Sequence, residues 1–445
     1  MARGDTTRDD AIVIDQPSEF LVAARAYHDQ EVYEDELRRI FQSGWIYLCH
    51  ESEVPSPGDF KSTRIGVQPI LVVRDTSGSI NAFLNACTHR GTALCREEYG
   101  NSKLLICPYH AWSFKLSGEL LGVPDRDRYP ESFDTEDKGL VRVPRLEHYG
   151  GLVFGSLNAN VASLETFLGQ ACKYIDLWNA RAADGGFTVG RSNKYSYHGN
   201  WKFQSENVVD GYHPHVVHRA AFSMMRKFAM ADAQAAEEAK GVGKVAPGSH
   251  TSAFVIDKSL EGGLTRGLPG GHSTLEAGLV FESSFATPSA SKAYMDRVVE
   301  LYGEEKAPSI LFNRHLLIFP NLALMDHLIR VWHPLAIDRT EILSYPLRND
   351  ALDPDLNDAR LLDVQMNYSP AGAVAPDDAA IFAAIQTGLR SSQSAKFHLS
   401  RGIDKEVVSS TGERVGVYSD EVPQRSFWRH WDAVMTSAER VEIDG

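Results

Sequence analysis

The stretch CTHRGTALCREEYGNSKLLICPYHAW, Cys87–Trp112, carries the first clue to the fold of this sequence. Three of the five cysteines of the 445-residue chain lie here, and two of them are followed closely by a histidine: Cys87 by His89, and Cys107 by His110. Cysteine and histidine two or three residues apart on tight loops form the mixed ligand set of a metal centre. Because the two pairs lie so close together, chance is a poor explanation for both.

Two kinds of metal centre match these four side chains. A structural zinc site of the Cys2His2 type uses the same ligands, but zinc fingers usually place the two cysteines together and the two histidines together. Here each short loop carries one of each. This arrangement favours a two-iron cluster in which both thiolates bind one iron and both imidazoles bind the other.

A second group of metal-binding residue types lies in NWKFQSENVVDGYHPHVVH, residues 200–218, where aromatic and apolar residues between them indicate burial. Buried imidazole and carboxylate groups need partners or a metal. His213 and His218 would lie about 140° apart on an unbroken helix. Pro214 predicts a break there, which can turn both rings toward one ion, with His215 pointing elsewhere. One further carboxylate would complete a facial triad.

The motifs CTHRG and CPYHAW resemble the Rieske [2Fe–2S] motif of ring-hydroxylating oxygenases, and the match includes Arg90, Gly91, Pro108, Tyr109 and Trp112. Residues 200–218 resemble the mononuclear iron motif of the same family. The sequence is therefore identified as similar to the catalytic α subunit of a Rieske non-haem iron aromatic ring-hydroxylating oxygenase. The likeness is to the benzoate, terephthalate and salicylate group, and it extends over nearly the whole chain.

The resemblance implies the site residues. The four ligands of the first stretch would hold a Rieske cluster, and His213 and His218 would hold one Fe(II). The third iron ligand would come from SPAGAVAPDDAAIFAAIQTGLRSS, which resembles the carboxylate-ligand segment of the family. Asp377 and Asp378 both qualify, and we expect Asp378 to be the ligand and Asp377 to cap the helix that follows.

Two further catalytic residues follow from the same likeness. Asp210 is expected to link His213 to a cluster histidine of a neighbouring subunit, and Asn207 lies in the Glu-Asn part of the motif. The alternative for Asp210 is that it only orients His213.

The resemblance also implies the partners of the chain. Electrons would come from NAD(P)H through a separate reductase, with or without a ferredoxin, because the sequence has neither a dinucleotide-binding glycine motif nor a four-cysteine ferredoxin spacing. A small β subunit and an α trimer, α3β3 or α3, are expected. The substrates would be O2 and an aromatic ring, hydroxylated once or twice and expected to carry a carboxylate. Arg330, on a predicted strand, is the candidate carboxylate partner, and an ordinary structural ion pair is its alternative.

Composition excludes several other classes. The chain has 43% hydrophobic and 23% charged residues, as ordinary globular proteins do, and its net charge of −14 argues against nucleic acid or an anionic membrane as a partner. No apolar run approaches the roughly 20 residues of a membrane span, and the N-terminus lacks the apolar core of a signal peptide. An odd number of cysteines fits no disulfide framework, so we expect a cytoplasmic protein.

The fold expected is α+β in three parts. Residues 1–44 would pack on the catalytic domain. Residues 45–160 would form an all-β Rieske domain with turns at residues 75–78 and 117–118. Residues 161–445 would form a larger domain with a central antiparallel sheet flanked by helices (helix-grip-like). Residues 229–309, rich in Gly, Ala and Ser, are expected to be largely irregular. Two rival hypotheses are a Rieske electron-transfer protein without oxygenase chemistry and a two-site zinc protein.

Overall fold

The structure is a computed structural model that describes residues 11–224, 227, 262–280, 286–391 and 395–437. The chain forms two compact units. One comprises Asp35–Phe167, and the other combines residues before Asp35 with Leu168–Ser437. In the parts of the chain that are described, no helix is long and apolar enough to cross a membrane.

The N-terminal segment begins with a hairpin and continues as short helices. Its elements are β1 Val13–Gln16, β2 Glu19–Ala23, α1 Arg25–His28 and α2 Gln30–Glu36. A π-helical stretch, Leu37–Gln42, follows.

The unit Asp35–Phe167 is built from short antiparallel strands, which confirms the predicted all-β domain. The strands are β3 Ile46–His50, β4 Asp59–Ile65, β5 Gln68–Arg74, β6 Ile80–Leu84, β7 Tyr99–Asn101, β8 Leu105–Ile106, β9 Ser113–Phe114, β10 Leu120–Gly122, β11 Arg145–Tyr149 and β12 Leu152–Ser156. They form three sheets, with the orders β6-β5-β4-β7, β10-β9-β8 and β11-β12-β3.

Both predicted turns of this unit are present. Between β5 and β6, Asp75 Oδ1 accepts the backbone N–H groups of Ser77 and Ser79, and Gly78 adopts a φ of 89°. This is an Asx-type turn, in which a short side chain replaces a backbone acceptor. Between β9 and β10, a Cβ on Gly118 would lie 2.4 Å from the ring of Phe83, so glycine is required at that bend.

The remaining elements belong to the larger unit, apart from α3, which spans the boundary. The helices are α3 Leu164–Leu168, α4 Ala171–Ala180, α5 Lys202–Asn207, α6 Pro214–Val217, α7 Pro288–Tyr302, α8 Ala307–Leu311, α9 Pro354–Tyr368, α10 Ala375–Gly388 and α11 Val422–Thr436. The strands are β13 Thr188–Val189, β14 Asn193–Tyr197, β15 Leu264–Gly267, β16 Ser273–Val280, β17 Phe312–Ile318, β18 Leu322–Met325, β19 Leu328–Ala336, β20 Arg339–Arg348, β21 Lys396–His398, β22 Val407–Val408 and β23 Arg414–Val417.

A ten-stranded antiparallel sheet organises this unit, which confirms the predicted α+β fold. The strand order is β13-β20-β19-β18-β17-β16-β15-β23-β22, and β14 also pairs with β20. The strands from β15 to β20 follow one another through the middle of the sheet, while β21 joins the β1–β2 hairpin instead.

The expectation for residues 229–309 is partly wrong. The described portion of this interval forms β15, β16 and α7. Residues 228–261 and 281–285 lie outside the described residues. Composition misled the prediction because the glycines here serve strand ends and turns, such as Gly270 with a φ of 81°.

Helix α5 contacts one face of the large sheet. Arg330 on β19 pairs with Ala323 on β18, and Ala323 in turn pairs with Leu317 on β17. Since side chains alternate between faces, His315 on β17 lies on the same face as Arg330. Trp332, two residues beyond Arg330, donates its Nε1–H to the Ser205 hydroxyl of α5 at 3.1 Å. The strands thus present Arg330 and His315 toward the side of the sheet on which α5 lies.

The smaller unit contains a buried ion pair between strand β4 and the turn after β3. Lys61 Nζ lies 2.7 Å from Glu53 Oε1, and both side chains are 1% exposed. The Tyr99 hydroxyl and the backbone N–H of His50 also donate to this carboxylate, at 2.7 and 2.8 Å. A buried pair of this kind is costly to break because the remaining charge has no counterion.

We predict that Lys61→Met destabilises this unit by about 3–5 kcal/mol, since the carboxylate of Glu53 stays buried without its cation. The measurement is native-state hydrogen exchange of the β4 and β5 amides, which reports the free energy of opening. Arg38→Met, which removes an exposed ion pair with Asp35 in the same unit, should change that free energy by less than about 1 kcal/mol. Equal effects of the two substitutions would contradict the prediction.

Candidate metal centres

The two Cys/His loops of the smaller unit have the same backbone design. The carbonyl of Cys87 accepts the N–H of Gly91, and that of Cys107 accepts the N–H of Ala111. Gly91 and Ala111 both adopt positive φ, 73° and 56°. The N–H of each cysteine is bonded to a carbonyl five residues on, at Thr92 or at Trp112, each at 2.8 Å. Two loops of the same backbone design therefore each present one cysteine and one histidine, with the histidine two residues after Cys87 and three residues after Cys107.

The side chains of the two loops meet. The rings of His89 and His110 lie 4.7 Å apart between centroids, and both cysteines are 2% exposed. Trp112 stacks on His89 with centroids 4.8 Å apart. The structure thus brings together the four residues that the sequence predicted as cluster ligands.

Two further observations fit an iron–sulfur cluster at this place. The Nδ1 atoms of His89 and His110 are buried and have no hydrogen-bond partner among the described residues, so both are available as ligand atoms. Burial by itself raises the pKa of Cys107, but the backbone N–H groups of Tyr109 and His110 outweigh it and lower the pKa. Burial raises the pKa of Cys87, so the thiolate that a metal requires is favoured at Cys107 but not at Cys87 before a metal binds.

In the larger unit, the second motif forms two short helices rather than one, and His213 and His218 lie at the two ends of the second helix. Helix α5 ends at Asn207, and α6 begins at Pro214, with His213 immediately before it. The predicted break is thus present, but it occupies residues 208–213 and precedes Pro214. Proline is tolerated in the first turn of a helix because its missing N–H would be unpaired there anyway. His215 is exposed and takes no part in the site, as expected.

His213, His218 and Asp378 converge on one point. Asp378 Oδ1 lies 3.6 Å from His213 Nε2 and 3.3 Å from His218 Nε2, and one ligand atom of each residue lies within 4.8 Å of the others. His218 and Asp378 are buried. Two imidazoles and one carboxylate on one side of a point form the facial arrangement that suits non-haem iron and leaves positions open.

Asn207 and Asp210 adjoin this triad. Asn207 Nδ2 lies 3.2 Å from both His213 Nε2 and Asp378 Oδ1. Asp210 Oδ2 lies 3.1 Å from His213 Nδ1, while its Oδ1 accepts the backbone N–H of Tyr212 at 2.6 Å. Asp210 therefore accepts the Nδ1–H of His213 and leaves Nε2, which lies toward Asp378, available as a ligand atom.

The expectation that Asp377 caps helix α10 is wrong. The helix begins at Ala375 after Val374, and no side chain caps it. Asp377 is the third residue of the helix, and its Oδ2 lies 3.6 Å from His218 Nδ1. Burial by itself lowers the pKa of His218, but the carboxylates of Asp378 and Asp377 outweigh it and raise the pKa.

Arg330 is 2% exposed and has no carboxylate partner among the residues that are described. Its Nη2 donates to the Tyr195 hydroxyl at 2.5 Å, the Tyr368 ring lies 5.5 Å from its guanidinium carbon, and its Nε is buried without a partner. Burial raises the pKa of Tyr195, the charge of Arg330 lowers it, and the charge of Asp378 adds to the rise. The guanidinium and the triad therefore both lie within electrostatic reach of this hydroxyl.

Sequence reasoning missed the residues around Arg330. His315 donates its Nδ1–H to the carbonyl of Val208 at 2.8 Å, and burial lowers its pKa, so the ring is neutral at neutral pH. His315, Tyr195 and Tyr368 come from β17, β14 and α9. The alternation within each strand was visible in the sequence, but the register between strands that unites them was not.

Comparison with known proteins agrees with this geometry. Residues 44–144 match the family model of the Rieske [2Fe-2S] domain, and residues 185–437 match that of the ring hydroxylating alpha subunit (catalytic domain). The rival hypotheses, an electron-transfer protein without oxygenase chemistry and a two-site zinc protein, do not account for the second match.

Individual relatives cover most of the chain. The alpha subunit of toluate 1,2-dioxygenase from Pseudomonas putida is 35% identical over 81% of this chain and 77% of its own length. The large subunit of anthranilate 1,2-dioxygenase from Acinetobacter baylyi is 32% identical over 86% and 80%. The solved structure of naphthalene 1,2-dioxygenase with indole bound superposes with a TM-score of 0.81 at 25% identity, covering 98% of this chain and 96% of that one.

The matched domains, the mixed Cys/His loops and the two-histidine, one-carboxylate triad give one consistent answer. Proteins of this family use a Rieske cluster and a mononuclear iron, and the residues present fit both groups. The chain belongs to the ring-hydroxylating oxygenase α subunits, oxidoreductases that incorporate O2 into aromatic substrates.

Proposed function

We propose that this enzyme hydroxylates an aromatic carboxylate and that Arg330 binds the carboxylate of the substrate. The observation that supports the proposal most strongly is the buried guanidinium, which has no carboxylate partner in the described chain. A buried charge without a counterion is costly, whereas a bound carboxylate would offer two oxygens to the fork of N–H groups. The structural ion pair that the sequence left open for Arg330 has no partner among the described residues.

The relatives support the same substrate class. Toluate, 2-halobenzoate and anthranilate, which give three of the relatives their names, are all ring carboxylates. Naphthalene and biphenyl, after which other relatives are named, carry no charge. Relatives of both kinds share the family, so the buried Arg330, bonded to a Tyr195 hydroxyl that the charge of Asp378 also influences, is the feature that favours a carboxylate here.

Seven residues would hold the metals. We assign Cys87, His89, Cys107 and His110 to the cluster. His213, His218 and Asp378 would bind the Fe(II). When bound, the cluster supplies electrons singly and the iron activates O2.

The remaining residues orient the reactants. Asn207 donates its Nδ2–H to Asp378 Oδ1 at 3.2 Å, so its amide would orient this carboxylate, while His213 Nε2, also 3.2 Å away, would bind the metal instead. Arg330 would hold the substrate by its carboxylate, with the Tyr195 hydroxyl keeping the guanidinium in place. Neutral His315 adds no second positive charge and leaves its Nε2 free to accept a hydrogen bond.

The assembly that we propose follows from the family likeness. A reductase, with or without a ferredoxin, would pass electrons from NAD(P)H in the cytoplasm, and the chain would form an α3 or α3β3 trimer with the Rieske domain near residues 45–160. Asp210, 26% exposed, would link His213 of one subunit to a cluster histidine of the next. Its contact with His213 supports this role, because one carboxylate can accept N–H groups from two imidazoles.

Cys107→Ser should abolish the EPR signal and the visible spectrum of the reduced Rieske centre, because a serine hydroxyl is a poor replacement for the thiolate. The mononuclear site, with ligands from another unit, should still bind one metal ion per chain. Cys95→Ser is the matched control, since Cys95 belongs to neither loop and should leave both signals intact. A normal Rieske spectrum in the Cys107 variant would contradict the ligand assignment.

Arg330→Gln should lower kcat/KM for benzoate-type carboxylates about 10- to 100-fold, because a hydrogen bond between charged groups is lost. The test supplies electrons through a surrogate reductase and identifies products by mass spectrometry. Arg348→Gln, at the exposed end of the neighbouring strand β20, should leave kcat/KM unchanged.

A neutral ring of the same shape, such as toluene, separates substrate binding from damage to the site. Arg330→Gln should leave its turnover unchanged or raise it. Equal losses with the carboxylate and with the neutral ring would make Arg330 structural. A wild-type enzyme that hydroxylates only neutral rings would overturn the proposed substrate class.

A further inference from the structure

Two adjacent carboxylates of helix α10 approach opposite nitrogens of one imidazole. Asp378 Oδ1 lies 3.3 Å from His218 Nε2, and Asp377 Oδ2 lies 3.6 Å from His218 Nδ1. We infer that Asp377 is a positioning residue for His218, holding the ring by Nδ1 so that Nε2 faces the metal. The inference rests on the ligand set proposed above and extends it by one residue that touches no metal.

The unsatisfied nitrogen of His218 carries the argument. The His218 side chain is 3% exposed, and its Nδ1 is buried without a hydrogen-bond partner in the described structure. A buried donor without an acceptor costs about 1–3 kcal/mol. When Nε2 binds a metal, the neutral ring carries its proton on Nδ1, so this atom must then donate.

Asp377 is the acceptor within reach. Its carboxylate is 43% exposed and is not used to cap the helix. An N–H···O⁻ bond has a length of about 2.7–2.9 Å. A rotation of the Asp377 side chain that moves its Oδ2 by less than about 1 Å would therefore bring it within hydrogen-bond distance of His218 Nδ1. Its negative charge is also favourable at this place, since it lies in the first turn of α10.

The other imidazole of the triad is held in the same way. Asp210 lies 3.1 Å from His213 Nδ1, so each metal-facing histidine has a carboxylate on the ring nitrogen that points away from the metal. Such carboxylate–histidine–metal arrangements fix the tautomer and the ring orientation. The carboxylate near His218 Nδ1 belongs to Asp377, the residue directly before the proposed ligand Asp378. The first turn of α10 therefore positions both the carboxylate ligand and the imidazole of His218.

The test measures metal binding by protein that keeps its Rieske cluster. The mononuclear iron is removed with a chelator, and Co(II) is titrated back in competition with a chromophoric chelator. Asp377→Ala should weaken Co(II) binding about 10- to 100-fold, the usual loss for such a partner of a metal ligand. Asp377→Asn keeps an acceptor oxygen without the charge and should lie between Asp377→Ala and the wild type.

Two further variants make the outcomes distinguishable. Asp355→Ala removes an exposed carboxylate from the first turn of α9 and should leave Co(II) binding unchanged. Asp378→Ala should abolish binding, and if it does not, the proposed ligand set is wrong. Suppose that Asp378→Ala does abolish Co(II) binding. Wild-type Co(II) affinity in Asp377→Ala would then overturn the positioning role of Asp377. Complete loss of Co(II) binding in Asp377→Ala would also overturn that role, since Asp377 would then be a ligand. In every variant the Rieske EPR signal should be normal.

Discussion

A continuous series of carboxylate–imidazole contacts connects the parts of the larger unit that take part in chemistry. Asp210 contacts His213, and a single oxygen of Asp378 lies between His213 and His218. The hydrogen bond of His213 to Asp210 satisfies one partly buried ring nitrogen, whereas the contacts of Asp378 with the two imidazoles are longer, at 3.6 and 3.3 Å. Each of these contacts also constrains a ring, so that both Nε2 atoms face one point. The open metal site of this enzyme class depends on that constraint, because three protein ligands on one side leave the other side for O2 and substrate.

The fold explains how residues distant in the sequence reach this point. The segment α5–α6 supplies the histidines, and the first turn of α10 supplies the carboxylate. The large antiparallel sheet lies beneath α5, and its strand β19 adds a buried arginine within electrostatic reach of the same Tyr195 hydroxyl as Asp378. The residues proposed for iron binding and for substrate recognition thus belong to the larger unit, while the smaller unit carries the two Cys/His loops between its own strands. Arg330 is 2% exposed, less than the 19% of the His213 side chain, and such burial would suit the proposed role of holding a substrate in one orientation.

Local motifs were predictable from the sequence, whereas contacts across the chain were not. The four Cys/His residues repeat within two short loops, and their spacing alone indicated a cluster. The two histidines were also identified from the sequence. The helix break, however, precedes Pro214, because proline can begin a helix as readily as it ends one. Asp378 could be chosen over Asp377 only by resemblance, since two adjacent aspartates look alike before folding. The wrong capping role for Asp377 and the missed His315 have one cause: both depend on tertiary contacts, which neither periodicity nor capping preference encodes.

The most direct test of this account addresses the outermost contact of the series, that of Asp210 with His213. Asp210→Asn removes a charge and the second strong acceptor but leaves all seven proposed metal ligands in place. The rate at which a pre-reduced Rieske cluster is reoxidised in a single turnover with O2 and substrate reports whether the two centres still communicate. The proposed link through Asp210 predicts a normal Rieske spectrum, a full complement of mononuclear iron and loss of nearly all single-turnover oxidation. Reoxidation of the cluster at the wild-type rate would contradict it.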